Sequence, residues 1–182
     1  IGKHVSIAEF DGMLDRTIVV NGVSKGYAMT GWRIGYIGAP QWVAKACSKL
    51  QGQMTSGATS VAQKAAEAAL LGDQSCVTEM KEAFLRRRDY VLDRLSKMDG
   101  IRCTTPEGAF YVFPDVTAYY GKSNGDTKIE NSMDFCLYLL EKGHIATVPG
   151  AAFGAPENIR ISYATSDENL KTAMDRLEKA LA

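Results

Sequence analysis

NGVSKGYAMTGWRIGY, residues Asn21 to Tyr36, lies at the junction of two runs with the composition of buried strands. Thr17-Ile18-Val19-Val20 precedes it, a β-branched run that predicts a strand, and Arg33 to Gly38 forms a second one. Lys25 falls between them, flanked by Ser24 and Gly26 with Gly22 close by, so it belongs to a loop held at both ends. Small neighbours let a ligand approach a side chain closely. A loop lysine is most often simply solvated. The sharper reading is a Schiff-base lysine, whose amine is nucleophilic only when neutral and therefore needs a partly dry, electropositive setting. Arg33, eight residues on, adds positive charge and a fork of donors suited to phosphate. Nucleotide phosphate loops are excluded. The stretch has no GxGxxG, and Gly121-Lys122-Ser123 has Val116 where a Walker glycine must stand.

Ser24-Lys25, followed by Met29-Thr30-Gly31-Trp32-Arg33-Ile34-Gly35-Tyr36, closely resembles the lysine motif of the class I (fold-type I) aminotransferases, most of all the bacterial aspartate aminotransferase subgroup. The resemblance implies that Lys25 carries pyridoxal 5′-phosphate (PLP) as a Schiff base and that Arg33 binds the cofactor phosphate. Some relatives place a phosphate-binding hydroxyl three residues before the lysine; here that residue is Gly22.

The remaining composition narrows the class. The 182 residues are 46% hydrophobic and 23% charged, enough for a real core, and 21 basic residues balance 21 acidic ones. Zero formal charge argues against nucleic-acid or membrane-surface partners. No apolar run reaches the length of a membrane span. Cys47, Cys76, Cys103 and Cys136 are far apart with no CxxC pair, which disfavours a metal centre or a disulfide framework and suits reduced thiols in the cytoplasm. His4 and His144 lack ligand-like spacing, and His144 reads as a helix cap.

After Pro40, the spacing of Trp42, Val43, Ala46, Cys47 and Leu50 predicts a helix closed by Gly52. In the resembled family the next segment, Gln53 to Ser60, runs near the active site, and Thr55 and Ser56 stand there. An alanine-rich helix is predicted over Ser60 to Leu71. A longer one follows from Gln74 to Met98, with Met80, Phe84, Tyr90, Val91, Leu92, Leu95 and Met98 as its apolar stripe and Arg86-Arg87-Arg88 as a solvated face. Short strands are expected at Ile101 to Cys103 and at Ala109 to Phe113, and a mobile surface loop at Tyr119 to Thr127. Ser132 to Leu140 reads as a helix burying Met133, Cys136, Leu137 and Leu140, and Ile145 to Val148 as a strand. Asn158 to Ala164 alternates like a half-buried strand, with Arg160 and Ser162 on its polar side. Thr165 and Glu168 have capping-box spacing before a last helix carrying Leu170, Met174, Leu177 and Leu181. Within the resemblance, the Asn158-Ile159-Arg160 stretch corresponds to the substrate α-carboxylate site, which makes Arg160 a substrate ligand.

The expected fold class is α/β: the end of a PLP-dependent transferase large domain over 1–90, including the connecting helix, then a small α+β C-terminal domain over 91–182. The function the resemblance implies is PLP-dependent transamination, with aspartate and 2-oxoglutarate as the favoured amino-acid and 2-oxo-acid pair, in a homodimeric cytoplasmic enzyme. The chain opens Ile-Gly-Lys-His without Met, and the family's cofactor-ring residues lie upstream of this point, so a C-terminal fragment inactive by itself is expected. Two alternatives stand beside it. One is another fold-type I PLP enzyme; the other is a non-catalytic folded fragment making oligomer contacts.

Overall fold

The computed structural model describes residues 4–124 and 127–182. It divides into two compact units, Ile1–Met80 and Lys81–Ala182. No helix among the described residues is long and apolar enough to cross a membrane.

The first unit is a hairpin followed by helices. Strand β1 (Val19–Gly22) pairs antiparallel with β2 (Gly35–Gly38), in register from Val19↔Gly38 to Gly22↔Gly35. The first strand sits two residues later than its β-branched run suggested, and the second starts two residues late but ends at Gly38 as expected. The first run is shifted by the 3-10 turn Leu14–Arg16, and the second starts late because Arg33 itself ends another such turn. Helix α1 (Gln41–Met54) follows Pro40 and runs through Gly52 instead of stopping there; Thr55 ends it. A glycine inside a helix costs only about 1 kcal/mol, so it does not dictate a stop. Helix α2 (Ser60–Leu71) closes at Gly72 as the pattern predicts. Among the described residues of this unit only Val23, Ala62 and Ala66 are buried. Trp42 and Leu71 are 74% and 79% exposed.

Helix α3 (Ser75–Ser96) runs from the first unit into the second. Its Val91 and Leu95, with Met98 just beyond, are buried in the core of the second unit, and Phe84, Tyr90 and Leu92 pack against them. The strand expected at 101–103 reduces to one bridging residue, Arg102 opposite Asp115. The two residues exchange both backbone bonds, Arg102 N–H to the Asp115 carbonyl at 3.3 Å and Asp115 N–H to the Arg102 carbonyl at 2.8 Å. Strand β3 (Tyr111–Val112) is shorter than the expected 109–113, since Ala109 is in the left-handed region at φ 61°.

Residues 117–124 and 127–128 hold more regular structure than a bare surface loop. A 3-10 turn at Thr117–Tyr119 precedes β4 (Ser123–Asn124), which pairs antiparallel with β5 (Thr127–Lys128). The part of the expected loop at residues 125 and 126 lies outside the described residues.

Helix α4 (Ser132–Gly143) is capped by the Asn131 side chain, which accepts from the Met133 and Asp134 N–H groups. Its core face matches the expected one only at Cys136. Phe135, Cys136, Tyr138 and Leu139 are buried, whereas Met133, Leu137 and Leu140 are about half exposed. Both stripes obey the helical period. The larger rings win the interior, where Phe135 meets Tyr119 at 5.3 Å and the Tyr138 hydroxyl donates to the Ala180 carbonyl at 2.6 Å. His144 ends the helix in the left-handed conformation at φ 52°, its N–H returning to the Leu139 carbonyl.

Strand β6 (Val148–Pro149) forms the sheet edge, and β7 (Ile159–Ser162) lies between β6 and β3, antiparallel to both. The strand is shorter than 158–164 because Ser162 Oγ accepts the Ala164 N–H and turns the chain. Helix α5 (Asp167–Leu181) packs on α4 and buries Leu170, Met174 and Leu177. Its N-cap is Ser166, which accepts from Asn169 N–H, and not Thr165, which instead accepts from the Asn169 side chain.

The Arg86–Arg88 cluster is not merely a solvated face. Arg86 and Arg87 both donate to Asp167 in the first turn of α5, at 3.0 and 2.6 Å, while Arg88 reaches the Pro106 carbonyl and Asp89. Arg94 likewise clamps Asp175 and Glu178, which drives its pKa well above the usual arginine value. Four cross-links of this kind fasten α3 to α5.

Candidate active site

The lysine loop hangs from the end of the β1–β2 ladder. Val23, wholly buried, anchors it, and the chain then turns tightly: Tyr27 N–H donates to the Val23 carbonyl and Ala28 N–H to that of Lys25, both at 3.2 Å. Lys25 is exposed on this turn. The Tyr27 hydroxyl donates to Gln74 Oε1 at 2.8 Å, and the Gln74 amide donates to the carbonyls of Ala69 and Gly72. Those bonds tie the loop to the end of α2. Tyr27 and Gln74 were not legible as a pair, because 47 residues separate them.

Arg33 follows the 3-10 turn Thr30–Trp32. Its backbone is left-handed at φ 51°, and Ala28 at φ 54° shares that conformation. Such non-glycine residues cost of order 1 kcal/mol or more and gather at ligand sites. Arg33 Nη1 donates to the Thr30 carbonyl at 2.8 Å, which leaves most of its donors available. Arg33, Trp32 and Ala28 form one wall of an open depression of about 710 Å³; Thr59, Val61 and Ala62, at the start of α2, form another. The Thr59 side chain makes no capping bond to that helix. The first N–H groups of a helix have no intrahelical partner and carry its positive dipole end, so a guanidinium and a helix start share one concavity.

Lys25 is not among the residues lining the depression. Thr55 caps α1 through a bond from its hydroxyl to the Gln51 carbonyl, and Ser56 is left-handed at φ 64°.

The donor set fits a phosphate-bearing carbonyl compound such as PLP: a primary amine for the carbonyl, and a guanidinium beside a helix start for the phosphate. Gly22 offers no hydroxyl three residues before Lys25.

Arg160 belongs to the second unit. On β7 it shares a face with Ser162, opposite the face that buries Ile159 and Ile161. Its guanidinium carbon lies 4.4 Å from the Tyr111 ring centroid and 4.6 Å from that of Phe153. Neither aromatic partner was legible from the chain pattern around Arg160.

Residues 2–177 match the family model of the class I and II aminotransferases. An aspartate aminotransferase from Pinus pinaster is 47% identical over 98% of this chain, and a bifunctional aspartate aminotransferase and glutamate/aspartate-prephenate aminotransferase from Petunia hybrida is 49% identical over 98%. The crystal structure of the aspartate aminotransferase from Rhizobium meliloti superposes with a TM-score of 0.91 at 47% identity, covering 98% of this chain. The chain belongs to the class I and II aminotransferases. It spans 37% and 38% of the length of the two plant relatives and 45% of the solved Rhizobium chain.

Proposed function

We propose that this chain contributes the cofactor lysine and the substrate-carboxylate arginine of a PLP-dependent aminotransferase, acting on an amino acid and a 2-oxo acid. The observation that carries the reading is the lysine loop itself, where Lys25 and Arg33 stand within one ladder-bounded segment and Arg33 opens onto the start of α2. When bound, PLP supplies the electron sink. Lys25 is the amine that holds the cofactor carbonyl and, once released, moves the proton at the substrate α-carbon. Arg33 binds the cofactor phosphate. Arg160 orients the substrate by donating edge-on to its α-carboxylate, which a lysine does not do bidentately. Aspartate and 2-oxoglutarate are the proposed pair, in keeping with the names of the relatives. The cofactor domain is assigned to 1–90 and the small domain to 91–182, in a cytoplasmic homodimer. The exposed apolar side chains of α1 and α2 support a covered, oligomeric setting for the first unit.

A second reading has its own support. Lys25 and Arg33 are both exposed, whereas a Schiff-base lysine works in a partly dry site. On that reading the 182 residues alone are a folded, non-catalytic piece. Titration of the purified chain with PLP separates the two. Under the catalytic reading, a near-visible absorbance band saturates with PLP, shifts on adding aspartate, and is absent from Lys25→Ala. No band at stoichiometric PLP, with no turnover of aspartate and 2-oxoglutarate, overturns it for this chain.

A further inference from the structure

We infer that Tyr111 and Phe153 are positioning residues for Arg160, holding its guanidinium by their ring faces so that its N–H edge stays open to a carboxylate. The inference rests on the reading of Arg160 as the carboxylate ligand and deepens it by two residues.

The contrast with the other arginines of this unit carries the argument. Arg86, Arg87 and Arg94 are fixed by carboxylates, so donors that could meet a ligand are already engaged. The Arg160 side chain has no ion pair and no hydrogen bond among the described residues; it lies against the two rings, at 4.4 and 4.6 Å. A ring attracts a cation through its face, whereas bidentate pairing uses donors lying in the guanidinium plane. The two interactions therefore do not compete, and a side chain with many rotamers is narrowed without losing a donor.

Both rings are themselves held. Tyr111 leads β3, where it pairs with Ser162, two residues along β7 from Arg160, and its ring lies 4.5 Å from that of Phe110. Residues diagonal across a sheet are within reach of long side chains. Phe153 ends the 3-10 turn Gly150–Phe153 and meets Phe113 edge-on at 6.1 Å. That turn can begin only with glycine, since a Cβ on Gly150 would fall 2.2 Å from the Ala155 carbonyl oxygen and 2.3 Å from that of Asn158. The fold thus delivers Phe153 to Arg160 from one side of the sheet edge and Tyr111 from the neighbouring strand.

The test has two arms. In the PLP-loaded enzyme, Tyr111→Leu and Phe153→Leu should each raise KM for amino acid and 2-oxo acid together, by roughly threefold to tenfold, with kcat within about twofold. Tyr111→Phe and Phe153→Tyr should restore KM, because a ring face returns. Arg160→Lys is the control for the underlying reading. If it leaves KM unchanged, Arg160 is not the carboxylate ligand and that reading falls. If it raises KM while both leucine variants do not, the reading stands and the positioning inference is overturned. A fall in kcat with KM intact also overturns it. The second arm needs no activity. In the 182-residue chain the Arg160 Nε–H resonance should lie upfield under the ring currents, move to the position of a solvated arginine in either leucine variant, and respond to succinate at lower concentration in the parent chain. An unshifted parent resonance refutes the stacking outright, including where a leucine variant proves too unstable for kinetics.

Discussion

Gly22 and Gly35 face each other as the last register pair of the β1–β2 ladder, and the loop between them, residues 23–34, carries both Lys25 and Arg33. A Cβ on Gly22 would meet the Ile34 carbonyl oxygen at 3.3 Å and Gly35 Cα at 3.4 Å; one on Gly35 would meet the Asn21 carbonyl oxygen at 3.3 Å. The obstacles are all backbone. Side chains at this pair therefore spread the two ends of the loop that sets the lysine.

Gly22→Val should accordingly destabilise the first unit by about 1–3 kcal/mol through overpacking. PLP affinity should weaken with it, because the loop ends move. An unchanged denaturation midpoint together with unchanged cofactor titration would show that the close pairing has no bearing on the loop.

Lys25→Ala should lower transamination more than about 10³-fold, since it removes the amine that holds the cofactor and moves the proton. Its melting curve should match the parent, because an exposed turn side chain contributes little packing. Turnover near that of the parent enzyme would end the assignment.

Arg160→Lys should weaken amino-acid and 2-oxo-acid substrates alike by about 2–4 kcal/mol, replacing a bidentate donor by a point charge. Binding measured with each substrate class separately checks this. Loss of PLP with substrate affinity retained would place Arg160 at the cofactor instead.

Asp115 predicts a pH dependence for the second unit. Its carboxylate accepts the Thr117 N–H at 2.9 Å and the Thr117 hydroxyl at 2.7 Å, and pairs with Arg102 at 3.2 Å; the Thr117 bonds foremost hold its pKa below the ordinary aspartate value of 3.8. A carboxylate lowered on folding contributes stability above its unfolded pKa and loses it as pH falls through the folded one. Denaturation midpoints should therefore drop below about pH 4. In Asp115→Asn the drop should be smaller, from a lower neutral-pH starting point. A parallel profile in the variant would remove Asp115 as a contributor.

The four thiols should separate by burial. Cys47 and Cys76 are exposed, whereas burial pushes the Cys103 and Cys136 thiols up, and Cys136 also accepts a bond from the Thr147 hydroxyl. Alkylation at pH 8 followed by peptide mass analysis should modify Cys47 and Cys76 first and Cys136 last, rapidly only in denaturant. Equal rates at all four would contradict the packing around α4.

Much of the chain is decided locally and could be read directly. Helices α2 and α3 follow their apolar spacing and end signals, α5 follows its apolar spacing, and the strand-loop-strand around Lys25 broadly follows its β-branched runs and glycines, because these are preferences of neighbouring residues. The same ladder-bounded loop holds both Lys25 and Arg33. Other features depend on residues far apart in sequence. Helix α4 carries two apolar stripes of equal period, and only packing against Tyr119 and α5 selects Phe135, Tyr138 and Leu139 over Met133, Leu137 and Leu140. Thr165 and Ser166 are both able to cap α5, and the path of the chain leaving β7 chose Ser166. Arg86 and Arg87 became clamps only when α5 brought Asp167 beside them. Arg160 shows the division most plainly. Alternation alone put it on the polar side of a strand, but the rings that hold it come from residues 49 positions upstream and 7 upstream, joined to it by sheet register and by a turn that only Gly150 permits.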